Sequence, residues 1–326
     1  MRRRTLTSLL GATLLAPSAA KAQSGRMRVL GYLHPFSGTY MAPFVDAVRQ
    51  GLKEQGFVEG RNIRIEIRTA EGHEERLLPL ARELVAQKVD AILAAGGSDP
   101  AKAAKQATST IPIVFVSAAD PIRTGLVASL SRPGGNVTGV SLLGSSLEAK
   151  RLEIISRLVP GNRAIGALVN PNYPDAKLQV DEFKTAAHHL NRRLEILEAS
   201  TVTDFEPDFA QAARERLAGL VVGQDTYFNS LRTELVRFAA QYKVPTIYTQ
   251  REYAERGGLM SYGTNFADSY RQAGVYVGRI LKGTPPADLP VMQPSRFEFV
   301  VNLSAAKALG LSIPADILGG ADQVLE

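Results

Sequence analysis

The sequence predicts an α/β protein built from two similar lobes, each with a doubly wound parallel sheet. Short apolar runs rich in Val and Ile, such as residues 113–116, are bounded by Pro, Gly or small residues, as in strands that helices cover on both faces. Amphipathic helical stretches alternate with these runs, which is typical of parallel sheets. The same order returns in the second half, and 326 residues suffice for two domains.

The first half alternates strands and helices from residue 27 to residue 142. Ile63, Ile65 and Ile67 alternate with charged residues, which indicates a strand near a sheet edge with one wet face. A helix begins near Ser98, and either Ser98 or Asp99 can cap it. The predicted strands are 27–33, 63–67, 91–95, 113–116 and 137–142, and the predicted helices begin near residues 41, 77 and 98.

The second half repeats this pattern, and Val244-Pro245-Thr246-Ile247 echoes Ile111-Pro112-Ile113-Val114. Residues 296–302 form a late strand, and residues 304–326 are expected to be a short helix and a loose tail. The predicted strands are 164–169, 194–198, 219–223, 245–249 and 259–262, and the predicted helices are 147–158, 176–190, 205–217, 229–242 and 266–281.

The N-terminus has the three parts of a secretory signal peptide over residues 1–22. Cations at positions 2–4 precede an apolar run at 6–16, and Ala20-Lys21-Ala22 fits a cleavage site before Gln23. Sec and Tat export both remain open, as does a basic tail on a cytosolic protein. The net charge of +6 falls to +2 without the four cations of this segment, which contains no acid, so the charge gives little support to nucleic-acid binding.

Several kinds of chemistry have no support in the sequence. The chain contains no cysteine, which excludes disulfides and thiol catalysis. Glycine-rich nucleotide loops and the GxSxG elbow are missing. His34, His73, His188 and His189 lack metal-ligand spacing and are expected on the surface. We therefore expect neither a cofactor nor a metal.

Three segments of the chain have the character of a family signature. They are IPIVFVSAADPIRTGLVASLSRPGGNVTGVS (111–141), VRQGL with GFVEGRNI (48–63) and NLSAAKALGLSIP (302–314). These segments resemble a family of ABC-transporter substrate-binding proteins that includes tryptophan-binding and tyrosine-binding members. The resemblance implies a type I periplasmic-binding-protein fold, in which two Rossmann-like lobes joined by a three-segment hinge close on a ligand. It implies lobe 1 at 26–141 plus 263–291 and lobe 2 at 142–262 plus 292–326, with crossings near 141–145, 262–264 and 291–296.

Ligands of open α/β sheets bind beyond the carboxyl ends of the strands. An amino-acid ligand would place its carboxylate at the helix start after Ser98 and its ammonium on Asp120 or Asp225. An aromatic side chain could stack on Phe36, Tyr173 or Tyr248. Each has a simpler alternative role: Ser98 could merely cap its helix, and Asp120 could merely begin the turn at Pro121. Phe36 and Tyr248 could merely pack in the core. The candidates are Phe36, Ser37, Ser98, Asp99 and Asp120 in lobe 1, and Asn172, Tyr173, Asp225, Thr226 and Tyr248 in lobe 2.

The functional expectation is a monomeric periplasmic protein that captures an amino acid, or an aromatic or organic acid, and delivers it to a membrane ABC permease. One alternative is a ligand-binding module for a membrane sensor, which the sequence does not separate from transport. The other is an exported α/β enzyme with Asp120 and Asp225 as an acid–base pair, for which no nucleophile or metal set is visible.

Overall fold

The computed structural model describes residues 26–36, 40–142, 147–294 and 296–326. The predicted signal peptide and Ser37 lie outside these ranges. Within them the chain forms two sheets flanked by helices. The elements in chain order are β1 (Arg28–His34), α1 (Ala42–Glu54), β2 (Ile63–Thr69), α2 (Leu77–Ala86), β3 (Ala91–Ala95), α3 (Ser98–Ala107), β4 (Ile113–Ser117), β5 (Val137–Ser141), α4 (Glu148–Leu158), β6 (Ile165–Val169), α5 (Ala176–His189), β7 (Leu194–Glu198), α6 (Val202–Arg214), β8 (Leu220–Val222), α7 (Thr226–Ser230), α8 (Arg232–Gln241), β9 (Thr246–Tyr248), α9 (Arg251–Glu255), β10 (Met260–Thr264), α10 (Phe266–Leu281), β11 (Phe297–Asn302), α11 (Leu303–Ala308), α12 (Ala315–Leu318) and β12 (Gln323–Leu325).

The first sheet is parallel, with strand order β2-β1-β3-β4-β5. The prediction that residues 63–67 form an edge strand is confirmed. Helices α1 and α10 pack on one face of this sheet, and α2 and α3 pack on the other. A Cβ at Gly51 would lie 1.9 Å from the carbonyl oxygen of Arg271, and one at Gly274 would lie 2.4 Å from that of Val48. These two glycines therefore let the backbones of α1 and α10 touch, which docks α10 on the first sheet.

The second sheet has the order β12-β11-β10-β9-β8-β6-β7, and only the pair β10–β11 is antiparallel among its described strands. Helices α4, α5, α11 and α12 cover one face, and α6 to α9 cover the other. The expected loose tail is wrong, because β12 pairs with β11 and Val324 lies opposite Val301. The expected helix 229–242 is also wrong in its start, since α7 and α8 meet at Leu231.

The chain passes between the two sheets three times, and the passages lie side by side. They connect β5 to α4, β10 to α10, and α10 to β11. The N–H of Ser141 donates to the carbonyl of Met292, and the N–H of Met292 donates to that of Gly139, both at 2.9 Å. Thr264 Oγ1 donates to the carbonyl of Leu142 at 2.9 Å. The first and third passages are thus hydrogen-bonded together, and the second is fastened to the first.

No helix in the described ranges is both long and apolar enough to cross a membrane.

One histidine departs from expectation: His34 is fully buried at the end of β1. Burial lowers the pKa of its imidazole to about 4, so the ring is neutral at pH 7. Its Nδ1 lies 3.1 Å from the backbone nitrogen and 2.9 Å from the carbonyl oxygen of Phe36, so in either tautomer a hydrogen bond ties the ring to Phe36.

Candidate functional site

A cavity of about 450 Å³ lies between the two sheets, where the carboxyl ends of their strands face each other. Its walls are the loops and helix starts that follow β1 to β4 in the first lobe and β6 to β8 in the second. Parallel strands direct all these loops to one edge of each sheet, and this is where open α/β sheets bind ligands. Seven of the ten predicted site residues line the cavity: Phe36, Ser98, Asp99, Asn172, Tyr173, Asp225 and Thr226.

The wall formed by the first lobe presents two serine hydroxyls. Ser98 is the first residue of α3, and Ser117 is the last residue of β4. Both are buried, and neither Oγ has a hydrogen-bond partner among the described residues. Ser98 is not the cap that its position suggested, because Gly97 occupies the N-cap with φ 127° and no side chain caps the helix. No described side chain therefore occupies the first N–H groups of α3 or accepts from either hydroxyl.

The wall formed by the second lobe presents a carboxylate. Asp225 caps α7 through Oδ1, which accepts the N–H of Phe228 at 2.7 Å, while Oδ2 accepts a hydrogen bond from Asn170 Nδ2 at 3.2 Å. Only 5% of Asp225 is exposed. Burial raises the pKa of this carboxyl to about 6, although both hydrogen bonds favour its charged form. Each oxygen retains a lone pair, so Asp225 can accept a further donor from a ligand.

Aromatic rings occupy both walls. Phe36 of the first lobe faces Tyr227 of the second, with ring centroids 6.3 Å apart. Tyr173 lines the cavity with a buried hydroxyl that has no partner within the described ranges. Burial holds the pKa of this hydroxyl well above its usual value, so it is a neutral donor. Sequence reasoning missed Tyr227, although its place two residues after Asp225 put it at the same strand end.

The rim carries carboxylates from the first lobe. Glu74, Glu75 and Asp99 line the cavity, and Lys102 Nζ lies 3.2 Å from an oxygen of Asp99. Partial burial, reinforced by the charge of Asp99, raises the pKa of Glu74. Among the described residues that line the cavity there is no Lys, Arg or His. The electrostatic potential of the site therefore favours a ligand with a positively charged group.

Two predicted residues lie elsewhere. The carboxylate of Asp120 accepts the N–H groups of Ile122 and Arg123 at 2.8 and 3.2 Å, so it forms the turn after β4 and does not line the cavity. Tyr248 is fully buried and stacks on Tyr253 with ring centroids 4.5 Å apart. Its side chain points from the face of β9 into the layer of α6 to α9 rather than toward the strand end. We correct the candidate site by removing both.

A buried network supports the Asp225 wall from behind. Glu148 accepts hydrogen bonds from the backbone N–H of Gln224 at 2.9 Å and from Gln179 Nε2 at 2.7 Å. Arg151 pairs with Glu148 at 2.8 Å and donates to the carbonyl of Tyr262 at 3.1 Å. The network joins the residue before Asp225 to β10, which leads into the second passage between the lobes. Its members lie on three elements (α4, α5 and β10) and in the loop after β8, so no local sequence pattern indicated it.

No group of three or more His, Cys, Asp or Glu side chains in the described part of the chain has an arrangement that could hold a metal ion. Asp120 does not face Asp225 across the cavity, so the acid–base pair considered above has no geometric support. The arrangement instead offers donors on one wall, an acceptor on the other and aromatic rings on both. It can bind a small molecule with separated positive and negative groups.

The family described as "ABC transporter substrate binding protein" matches residues 32–325, and the chain belongs to this family. A tyrosine-binding protein of Clostridioides difficile (strain R20291) is 30% identical over 274 residues, which cover 82% of this chain and 78% of that protein. A crystal structure from Streptococcus pneumonia in complex with L-Trp is 28% identical, with a TM-score of 0.83 over 91% of this chain and 99% of that one. A ligand-free, open substrate-binding protein from Clostridium difficile is 26% identical, with a TM-score of 0.69 over the same shares of each chain.

More distant solved structures, 13% and 15% identical, share the fold alone, and this is the type I periplasmic-binding-protein fold. Membership of the family makes the chain a substrate-binding protein of ABC transporters, which takes a small-molecule ligand. It also agrees with the expectation that the chain is not an enzyme, because the family and its relatives are binding proteins.

Proposed function

We propose that the protein is the periplasmic solute-binding component of an ABC importer and that it captures an aromatic amino acid in the cavity between its lobes. The observation that carries the proposal is the pairing of two chemically opposite walls. Hydroxyl groups that have no partner among the described residues and a helix start without a side-chain cap lie on one wall, and the buried carboxylate of Asp225 lies on the other. An α-amino acid has the two charges that these walls complement.

The ligand carboxylate belongs at the start of α3. The positive end of the helix dipole and its free N–H groups favour an anion there. The hydroxyls of Ser98 and Ser117 supply two further donors, and their burial without a partner in the described residues is unfavourable until a ligand accepts from them. This wall therefore binds a carboxylate without an arginine.

The ligand ammonium belongs at Asp225. This carboxylate is desolvated and already held by Phe228 and Asn170, so its orientation is set before the ligand arrives. A buried charge is costly without a partner, and an ammonium group would supply one. The acidic rim adds a weaker attraction that would draw cations toward the cavity mouth.

The ligand side chain belongs among Phe36, Tyr173 and Tyr227. Aromatic pairs gain about 0.5–1.5 kcal/mol beyond simple burial when rings lie offset or edge to face. The relatives named above support this assignment, since one is a tyrosine-binding protein and another was solved with L-Trp. The cavity of about 450 Å³ falls within the usual range of about 300–1,000 Å³ for small-molecule sites.

The proposed lobes are residues 26–141 plus 263–291 and residues 142–262 plus 292–326, joined by the three passages and closing as a monomer. Residues 1–22 would direct export, with cleavage between Ala22 and Gln23. The cations at positions 2–4 and the apolar run at 6–16 support this. The mass of the protein recovered from the periplasm tests it, because retention of residues 1–22 contradicts cleavage.

Ligand pairs that differ in one group give the decisive experiment. The protein is unfolded and refolded to strip any bound molecule, and calorimetry then measures the Kd of L-Trp, L-Tyr and L-Phe. Tryptamine lacks the carboxylate and indole-3-propionate lacks the ammonium. We expect each to bind at least about 30-fold more weakly than L-Trp, because each leaves one wall unpaired. Equal binding of indole-3-propionate and L-Trp would refute the role of Asp225.

A further inference from the structure

Asp175 joins the two lobes at a point outside the ligand cavity. It lies between β6 and α5 in the second lobe, and only 1% of it is exposed. Its Oδ2 accepts the backbone N–H of Asp120 in the first lobe at 2.8 Å, and its Oδ1 lies 3.7 Å from Arg123 Nη2. None of these three residues lines the cavity. The contact therefore connects the lobes without touching a ligand.

The side chain of Asp175 is committed to the opposite lobe rather than to its own helix. Asp175 is the N-cap residue of α5, a position where aspartate commonly accepts a backbone N–H of the first turn. Here the side chain makes no such hydrogen bond. Separation of the lobes would remove the donors from Asp120 and Arg123 and would expose the carboxylate to water. The interaction thus exists only when the lobes are together.

A cation–π contact also joins the two lobes. The guanidinium of Arg232, at the start of α8, lies 4.8 Å from the ring centroid of Tyr40, which precedes α1. Tyr40 packs on the α1 face of the first sheet, whereas Leu126 and Val127, which follow the Asp120–Arg123 turn, pack on the opposite face. In the second lobe, Asp175 precedes α5 and Arg232 begins α8, and these two helices cover opposite faces of the second sheet. The Asp175 contact and the Tyr40–Arg232 contact therefore lie on either side of the cavity. Of the two, the Asp175 contact is made by a carboxylate.

We propose that Asp175 is a closure latch: a positioning residue that stabilises the closed arrangement and so raises the affinity for every ligand by the same factor. The proposal rests on the proposed binding function of the cavity. A ligand that binds only the closed state has an apparent Kd equal to its intrinsic Kd divided by the closed fraction of the free protein. A contact that the ligand never touches changes that fraction alone, so it cannot discriminate between ligands.

The variant Asp175→Asn tests the latch, since it keeps the size of the side chain and removes its charge. For two ligands of different affinity, we expect the Kd to rise by one common factor within about 5- to 150-fold, the usual range of coupling between sites. Calorimetry measures each Kd. Arg123→Ala should have a smaller effect, because the Arg123 side chain is 48% exposed and its ion pair is long. The exposed Asp181→Asn on α5 is the matched control.

Single-molecule FRET separates the latch from ligand chemistry. The chain has no cysteine, so Gln106→Cys on α3 and Lys184→Cys on α5 give one labelled pair across the lobes. In ligand-free protein, Asp175→Asn should lower the closed fraction by the factor seen in Kd. This readout stands even if amino acids prove not to bind. An unchanged closed fraction, or unequal factors for the two ligands in a variant that melts like the parent, would overturn the proposal.

Discussion

The junctions β3–α3 and β8–α7 occupy equivalent places in the two lobes, yet they present opposite chemistry to the cavity. At the first, Gly97 precedes the helix, no side chain caps it, and its N–H groups stay available. At the second, Asp225 caps the helix itself and leaves a carboxylate at the same kind of strand end. One backbone arrangement thus leaves N–H groups uncapped when no side chain caps the helix, and it places a carboxylate at the strand end when the cap is acidic.

The two junctions also differ in what supports them. The residue before Asp225 donates its backbone N–H to the buried Glu148, which is paired with Arg151. At the first junction the loop is set by backbone geometry, since Gly96 lies against the ring of His34 and a Cβ there would be 2.5 Å from Nε2. The acidic wall therefore depends on a buried ionic network, and the hydroxyl wall depends on steric fit. Four predictions test this contrast.

The largest effect is expected when the network behind Asp225 is broken. Glu148→Ala would remove the carboxylate from a buried ion pair, and loss of one partner commonly costs about 3–5 kcal/mol of folding stability. Chemical denaturation would measure the loss. Lys150→Ala is the control, because its ion pair with Glu153 is exposed and should contribute less than about 1 kcal/mol. Equal losses for the two variants would show that the network is not structural.

The next effect tests the cation site directly. Asp225→Asn keeps the cap geometry but removes the charge, so amino-acid binding should weaken by about 2 kcal/mol or more, roughly 30-fold. Indole-3-propionate has no ammonium and should bind the variant no worse than the parent. Calorimetry measures the Kd of both ligands for the parent and for the variant. A uniform loss would point to structural damage at α7 instead of a lost charge interaction.

The anion site should respond more weakly, because its donors are several. Ser98→Ala removes one hydroxyl and leaves Ser117 and the helix N-terminus, so the Kd of L-Trp should rise by about tenfold, the effect of one hydrogen bond to a charged group. Tryptamine has no carboxylate and should be unaffected. The empty protein should melt no lower than the parent, since no described residue bonds to the Ser98 hydroxyl. A clear drop in Tm would instead assign Ser98 a structural role.

The smallest effect is the dependence of binding on pH. Burial raises the pKa of Asp225 to about 6 in the free protein, and an ammonium ligand would lower that pKa because it favours the charged carboxylate. Affinity should then be constant above about pH 7 and should fall as the pH drops through 6, at most about tenfold per unit. Asp225→Asn should flatten the profile between pH 5 and 7. A profile that persists in this variant would identify a different titrating group.

The periodicity of the sequence was enough to predict both sheets, the edge position of β2 and most of the helices. These features are local: strands buried on both faces read as continuous apolar runs, and helices show an apolar stripe. Strand ends predicted seven of the lining residues for the same reason, because parallel topology directs the loops after successive strands to one edge. Helix α7 was missed because its five residues are too few for a period to show.

Only the tertiary structure decided how these local features act. The side chain of Tyr248 packs in the core and the carboxylate of Asp120 forms a turn, because the direction of a side chain at a strand end depends on what packs beside it. Tertiary packing also forms the hydrogen bond between Asp175 and Asp120 and the one between Glu148 and Gln224, which join residues 55 and 76 positions apart. Contacts at such distances leave no trace in local periodicity. The amino-acid order thus determined which strand ends could form a site, and the packing of the two lobes determined which side chains face the ligand.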